Sequence, residues 1–173
     1  MTWQALLGIS CITYVLSQLL QRTFLKEKTT DPIAFAIVFQ LAVGVIIGVY
    51  AQIKGFAIPE TYTSYVPNLI LTGVLYASGN FFLYKSLKNT PISEFTIVFS
   101  TSTFWTILGA VILLGEHFSL QHAIGTTLIM ISLLIVFKSS QAIRFRNGHI
   151  NGLIAAFLYG VAFVNDAYLL KSI

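Results

Sequence analysis

Charge is scarce in this chain: ten Lys and Arg and six Asp and Glu make up 9% of 173 residues, against about 25% in an ordinary soluble domain. That scarcity excludes a solvated surface all round. There is a single cysteine, Cys11, which excludes an intrachain disulfide and leaves a small buried hydrophobe as its expected role. Polar linkers and low-complexity stretches are missing from the first five apolar segments, so no domain boundary is expected among them. What is there instead is apolar: 56% of residues are hydrophobic, and the mean hydropathy is +0.82. At roughly 20 residues per crossing of a ~30 Å hydrocarbon core, the length accommodates six or seven spans and short loops, but no extramembrane domain. The net charge of +4 does not imply a nucleic-acid partner. Its basic residues are spread over connections and form no patch or aromatic-interleaved stripe. No basic residue precedes the first segment and no small-residue cleavage site leads into a soluble domain, so that segment is expected to persist in the mature protein.

Long apolar runs cover Trp3 to Leu20, Pro32 to Gln52, Val66 to Lys85, Pro91 to Leu114, Leu120 to Phe137 and Ile150 to Leu170. Continuous runs of this length predict helices; barrel strands would alternate over about ten residues. The fold class is therefore an all-α membrane protein. Asp31 before Pro32 and Thr90 before Pro91 predict a capping oxygen followed by proline at the first helical position. Ser119 before Leu120 is a weaker cap. The short links at Lys88 to Thr90 and Gly115 to Ser119 predict antiparallel neighbours. Connections one, three and five hold Arg22, Lys26, Lys28, Lys85, Lys88, Lys138, Arg144 and Arg146, whereas the opposite side holds Lys54 and Lys171. That count puts the amino terminus outside the cytoplasm.

Polar side chains inside the runs are the candidate functional groups. The first segment carries Ser10, Thr13, Tyr14, Ser17, Gln18 and Gln21 at spacings of three and four, one face of a helix. The fourth repeats the pattern with Ser93, Thr96, Ser100 and Thr103, and the third sets Tyr76 and Asn80 one turn apart and facing the bundle interior. Such stripes suit a solute cavity, and equally suit interhelical hydrogen bonds of ~0.6 kcal/mol each. Leu16 is expected on the lipid side. Trp105 and Phe99, with Tyr14 and Tyr76, are candidate aromatic walls. Glu94 and Asp166 are the carboxylates nearest membrane depth, which raises proton coupling against a helix-end role for each. Gly44 with Gly48, and Gly148 with Gly152, predict close helix packing. Glu116, His117 and His122 lack a metal-binding spacing, and no nucleophile constellation or phosphate-cradling loop occurs. Neither an enzyme nor a bound cofactor is expected.

The stretch LLGEHFSLQHAIGTTLIMISLLIVF, from Leu113 to Phe137, resembles the EamA repeat of the drug/metabolite transporter superfamily. In that repeat the fourth helix ends in a Gly-Glu turn, here Gly115 and Glu116, before a fifth helix containing Gly125. YASGNFFLYKSLKNTPISEFTIVFSTSTFWTIL resembles the family's helix 3 to 4 hairpin. The resemblance implies a five-helix transmembrane EamA-like repeat at 1–138 plus a sixth helix, 148–173, opening an incomplete second repeat. Sliding the sixth segment onto the first by 149 positions puts Leu169 on Leu20, Lys171 on Arg22 and Ser172 on Thr23. The family has ten helices in two repeats of opposite orientation, so the chain is expected to be a fragment. A homodimer in opposed orientations is one way to supply the second half. The family's usual cytoplasmic amino terminus opposes the charge count. It also implies that helices 1, 3, 4 and 6 line the substrate cavity, and that the Glu116 carboxylate holds the turn by accepting backbone N–H bonds. The implied function is a secondary carrier or exporter of a small organic metabolite, working by alternating access as a multi-pass protein of the cell membrane. The alternative is a non-transporting assembly partner or inactive half-transporter. The expected partners are the lipid bilayer and a small-molecule metabolite.

Overall fold

The computed structural model describes residues 3–27, 30–55, 60–116, 119–139 and 147–172, with side chains left out at 60–61, 129, 132–134 and 136–139. Lys28, His117, Arg144 and Arg146, and the side chain of Lys138, lie outside that description. Among the described residues seven α-helices follow one another: α1 Trp3–Leu25, α2 Pro32–Ile53, α3 Val66–Asn89, α4 Ile92–Phe99, α5 Ser102–Leu114, α6 Leu120–Ser139 and α7 Asn147–Ser172. A 3-10 helix, Glu60–Tyr65, leads into α3. Among the described residues five helical stretches are long and apolar enough to cross a membrane: α1, α2, α3 with the end of its 3-10 lead, α4 with α5, and α7. The chain is thus an all-α, multi-pass membrane protein.

The caps are partly as expected. Asp31 accepts a hydrogen bond from the Ile33 N–H at 2.8 Å ahead of Pro32, and Ser119 accepts one from the His122 N–H at 3.3 Å. Thr90 does not cap α4. Pro91 itself takes the cap position with extended backbone and no side-chain bond. The Thr90 hydroxyl is instead buried, without a hydrogen-bond partner among the described residues.

The fourth apolar run is broken in two. Ser100, Thr101, Ser102 and Thr103 stand in succession, and such hydroxyls compete with main-chain N–H groups for carbonyls. Ser100 Oγ donates to the Thr96 carbonyl at 2.7 Å and Thr101 Oγ1 to that of Val98 at 2.7 Å. The Thr101 and Thr103 N–H groups then bond three residues back, to Val98 and Ser100, both at 3.2 Å. The tightened turn separates α4 from α5.

The sixth apolar run, α7, is the packing centre: it lies along α3 and α5 and against α4. The third and fourth runs, expected as direct antiparallel neighbours, touch mainly where α3 meets α4, and α7 packs along both α3 and α5. Its buried residues are mostly small: Gly148, Gly152, Ala155, Ala156, Gly160 and Ala162. Lipid offers no hydrophobic drive between helices, so close van der Waals packing has to supply the attraction. A Cβ at Gly152 would sit 3.0 Å from Ser86 Oγ and Val98 Cγ1, and one at Gly160 2.5 Å from Trp105 Cβ. Gly44 and Gly48 on α2 do not pack closely; nothing lies within 4 Å of a Cβ added at either.

Leu83, Tyr84 and Leu87 of α3, Phe95 of α4, Ala155 of α7 and Leu25 of α1 form a buried cluster, with Phe35 of α2 edge-on to Tyr84 at 5.2 Å. Elsewhere α1 and α2 bury nothing further. Polar clasps fix the two ends of the bundle. At one end Arg22 donates to the carbonyls of Leu87 and Thr90, Lys88 to that of Thr30, and Ser86 to that of Gly148 at 2.8 Å. At the other, Tyr65 donates to the Ser172 carbonyl at 2.5 Å. Asn165 is buried there. It donates to Asn68 O at 2.9 Å and Thr72 Oγ1 at 2.7 Å and accepts from Asn68 Nδ2 at 2.9 Å.

Candidate functional site

The polar residues of α1 and α4 face each other across a cleft of about 350 Å³. Tyr14 and Gln18 form one wall and Ser93, Thr96 and Ser100 the other, with Phe95 and Phe99 between them. Helical periodicity sets the spacing on each side: positions 14 and 18, and 96 and 100, lie one turn apart. Gln18 Nε2 donates to the Tyr14 hydroxyl at 2.6 Å. Thr96 Oγ1 donates to the Ile92 carbonyl at 2.8 Å, as Ser100 does to Thr96. The hydroxyl protons of Thr96 and Ser100 are committed to the helix, so their oxygens are presented as acceptors. Phe95 and Phe99 stack at 5.4 Å, and Phe99 meets Tyr159 edge-on at 5.2 Å. No described side chain lining the cleft is charged. The arrangement can hold a ring against an aromatic face and accept or exchange a few hydrogen bonds. Among the described residues it has no counter-ion for a phosphate.

The other expected residues lie elsewhere. Ser10 is exposed on α1 outside the cleft. Ser17 accepts from Gln21 Nε2 at 3.0 Å and turns toward α2, where a second cleft of about 420 Å³ is lined by Thr13, Leu16, Gln21, Phe35 and Phe39. Leu16, expected on the lipid side, thus borders α2. Thr103 is exposed beyond the helix break. Trp105 packs edge-on to Phe157 at 5.1 Å and against Gly160, away from the α1 to α4 cleft.

Tyr76 and Asn80 turn inward and join a chain of polar contacts between α2, α3 and α7. Tyr76 donates to Asp166 Oδ2 at 2.5 Å, Tyr159 donates to Asn80 Oδ1 at 2.6 Å, and Asn80 Nδ2 donates to Gln40 Oε1 at 3.1 Å. Glu94, on the α7 side of α4, lies 2.9 Å from Nε2 of buried His149. Sequence reasoning named neither His149 nor Asn165. The signal for both was an ionisable or amide side chain within a long, predominantly apolar segment.

At the other end of α5, Gly115 adopts the left-handed conformation at φ 63°, and its N–H and that of Glu116 return to the Ala110 carbonyl. Main chain closes this turn, while the Glu116 carboxylate accepts from Lys171 Nζ at 2.5 Å. The neighbouring ammonium holds the Glu116 carboxyl below the ordinary carboxylate range.

Residues 1–138 match the EamA-like transporter family. Solute carrier family 35 member B1 of Danio rerio is 32% identical over 77 residues, 44% of this chain and 23% of the relative. The protein of the same name from Gallus gallus is 28% identical over 85 residues, 49% of this chain and 26% of the relative. The match therefore spans about a quarter of the length of these curated relatives. No solved structure matches. A family match over 138 of 173 residues, on a bundle of membrane-spanning helices, carries one conclusion: this chain belongs to the EamA-like transporter family.

Proposed function

We propose that the protein is a carrier, and not an enzyme, moving a small neutral or zwitterionic organic solute across the cell membrane by alternating access. The α1 to α4 cleft is its solute site. The observation that carries this reading is the pairing of Tyr14 and Gln18 with Thr96 and Ser100 across an uncharged cleft that ends at a helix break. Interrupted helices with polar groups turned to a cavity are how carriers bind solute within the bilayer and still release it. Several neutral hydrogen bonds of about 1 kcal/mol each give reversible binding without the desolvation cost of buried charge.

The test is thermal stabilisation of the purified chain by a panel of neutral, zwitterionic and phosphorylated metabolites, followed by counterflow of any ligand found in proteoliposomes. Neutral or zwitterionic ligands should raise the melting temperature and exchange. Stabilisation by phosphorylated compounds alone would contradict the substrate class, and binding without counterflow would favour an assembly partner or half-transporter.

A further inference from the structure

The turn between α3 and α4 leaves a hydroxyl unbonded. Thr90 is 2% exposed, and its Oγ1 has no hydrogen-bond partner among the described residues. It lies under the first turn of α7, where a Cβ at Gly148 would collide with it. Buried hydroxyls are nearly always bonded, so an orphan requires a cause. Thr90 before Pro91 is the pattern of a capping residue followed by the first helical residue. The backbone is partly set for that role. Thr90 has the extended φ −130° and ψ 142° of a capping residue, and Pro91 has a helical φ of −55°. What keeps Pro91 out of α4 is its ψ of 143°.

Arg22 accounts for the missing cap. Its guanidinium, on α1, donates to the carbonyl of Leu87 at 3.0 Å and to that of Thr90. A capping Thr90 would turn that same carbonyl to the Glu94 N–H, the first bond of a helix begun at Pro91, and its hydroxyl to the N–H of Ile92 or Ser93. The two arrangements compete for one carbonyl. Arg22 stands one turn beyond Gln18 and Leu19 of one cleft wall, and Thr90 comes just before Ile92 and Ser93 of the other. The clasp thus joins both walls at this end. Leu25 is the one buried residue of α1 among those described, so that wall is held to the bundle from here.

We propose that Arg22 is the positioning residue that closes the cleft at the α3 to α4 turn, and that Thr90 is its counterpart in the open form, capping α4 once Arg22 lets go. The inference rests on the cleft being the solute site. In the closed form the charge-assisted bonds of Arg22 outweigh the orphaned hydroxyl. In the open form the long Arg22 stem carries its charge to interfacial water. The Thr90 cap, with one further residue wound onto α4, then replaces part of what was lost. Each form makes the bonds that the other forgoes, which keeps the two near balance, as a carrier requires. Thr96 and Ser100 stand on α4 and at its end, so a change in its first turn moves the acceptor wall.

The experiment uses the full chain in lipid nanodiscs, with spin labels at Leu19→Cys and Ser93→Cys on a Cys11→Ser background. The labels sit on opposite walls of the cleft, and their dipolar coupling gives the ratio of separated to close populations. Arg22→Ala should raise that ratio roughly threefold or more, and Arg22→Lys should restore most of the close form. Thr90→Val should shift the ratio the other way and cancel part of the Arg22→Ala shift, while Thr90→Ser should match the unsubstituted chain. Thr90→Val should not lower the melting temperature, because the hydroxyl it removes bonds nothing. An unchanged ratio in Arg22→Ala overturns the proposal, as does a Thr90→Val that opens the cleft or melts below Thr90→Ser. If Arg22→Ala fails to fold, the comparison of Thr90→Val with Thr90→Ser decides, and equal ratios are equally fatal. The metabolite panel tests the solute reading separately. Shifted ratios with no stabilising metabolite keep the closure and remove the solute site; a stabilising metabolite with flat ratios does the reverse.

Discussion

A single amide carries much of the cleft's polarity. Gln18 reaches Tyr14 along α1 and faces the hydroxyl oxygens of α4, so Gln18→Leu removes hydrogen-bonding capacity while keeping bulk. Solute affinity should fall by roughly 2- to 10-fold, the equivalent of one neutral hydrogen bond. Ile12→Ala, on an exposed part of α1 outside the clefts, should leave it unchanged. Equal affinities at matched expression would return Gln18 to a packing role. Glu116 and Lys171 offer a second residue-scale test. A carboxyl whose folded pKa is lowered adds stability that is present above its unfolded value, near 4.5, and lost as pH falls through the folded value. Lys171→Met should therefore melt slightly below the unsubstituted protein at neutral pH and level with it near pH 3. A gap that persists in acid would mean that Lys171 acts through packing.

At the scale of elements, the helix break and the small face of α7 govern how the bundle closes. Gly160 meets the first turns of α5, with the Ser102 carbonyl and the Thr106 nitrogen 3.1 and 3.2 Å from where a Cβ would stand. The near obstacles there are backbone and a Cβ, which cannot swing aside as a flexible side-chain end would. Gly160→Val should cost about 1–3 kcal/mol by overpacking, read as a lower melting temperature in detergent. Gly48→Val, with open space around it, should be close to neutral. Periodicity made Tyr14, Gln18, Thr96 and Ser100 legible as facing positions, because a continuous helix fixes which residues share a face. It could not assign Ser17, which turns to α2. Nor could it assign Thr103 and Trp105, which lie past a break where the helical phase is reset.

At the scale of the molecule, α7 supplies the largest group of buried residues among those described and touches α3, α4 and α5. A chain cut to 1–146 should lose the mates of Ser86, Tyr76, Asn80 and Asn68 together. Buried polar groups left unpaired cost about 1–3 kcal/mol each. It is expected to elute as aggregate on size exclusion from mild detergent, where the full chain gives a single peak. A well-behaved 1–146 species would mean that the five-helix repeat stands without α7. By contrast, the apolar outer sides of α1 and α2 carry no such burden, since side chains there are matched to lipid.

The sequence by itself determined that the chain is a bundle of membrane-crossing helices, where most of them begin, and which family it resembles. Hydropathy acts residue by residue against a fixed apolar solvent, and lipid permits little besides a helix for a continuous apolar run. Only the tertiary structure decided that the fourth run breaks at Ser100, that Thr90 is buried instead of capping, that α7 is the packing centre, and that His149 meets Glu94. Each of these depends on how one helix is rotated and how near it lies to another. With no hydrophobic drive between helices in a bilayer, those quantities are set by which small residues allow contact and which polar groups find mates across it.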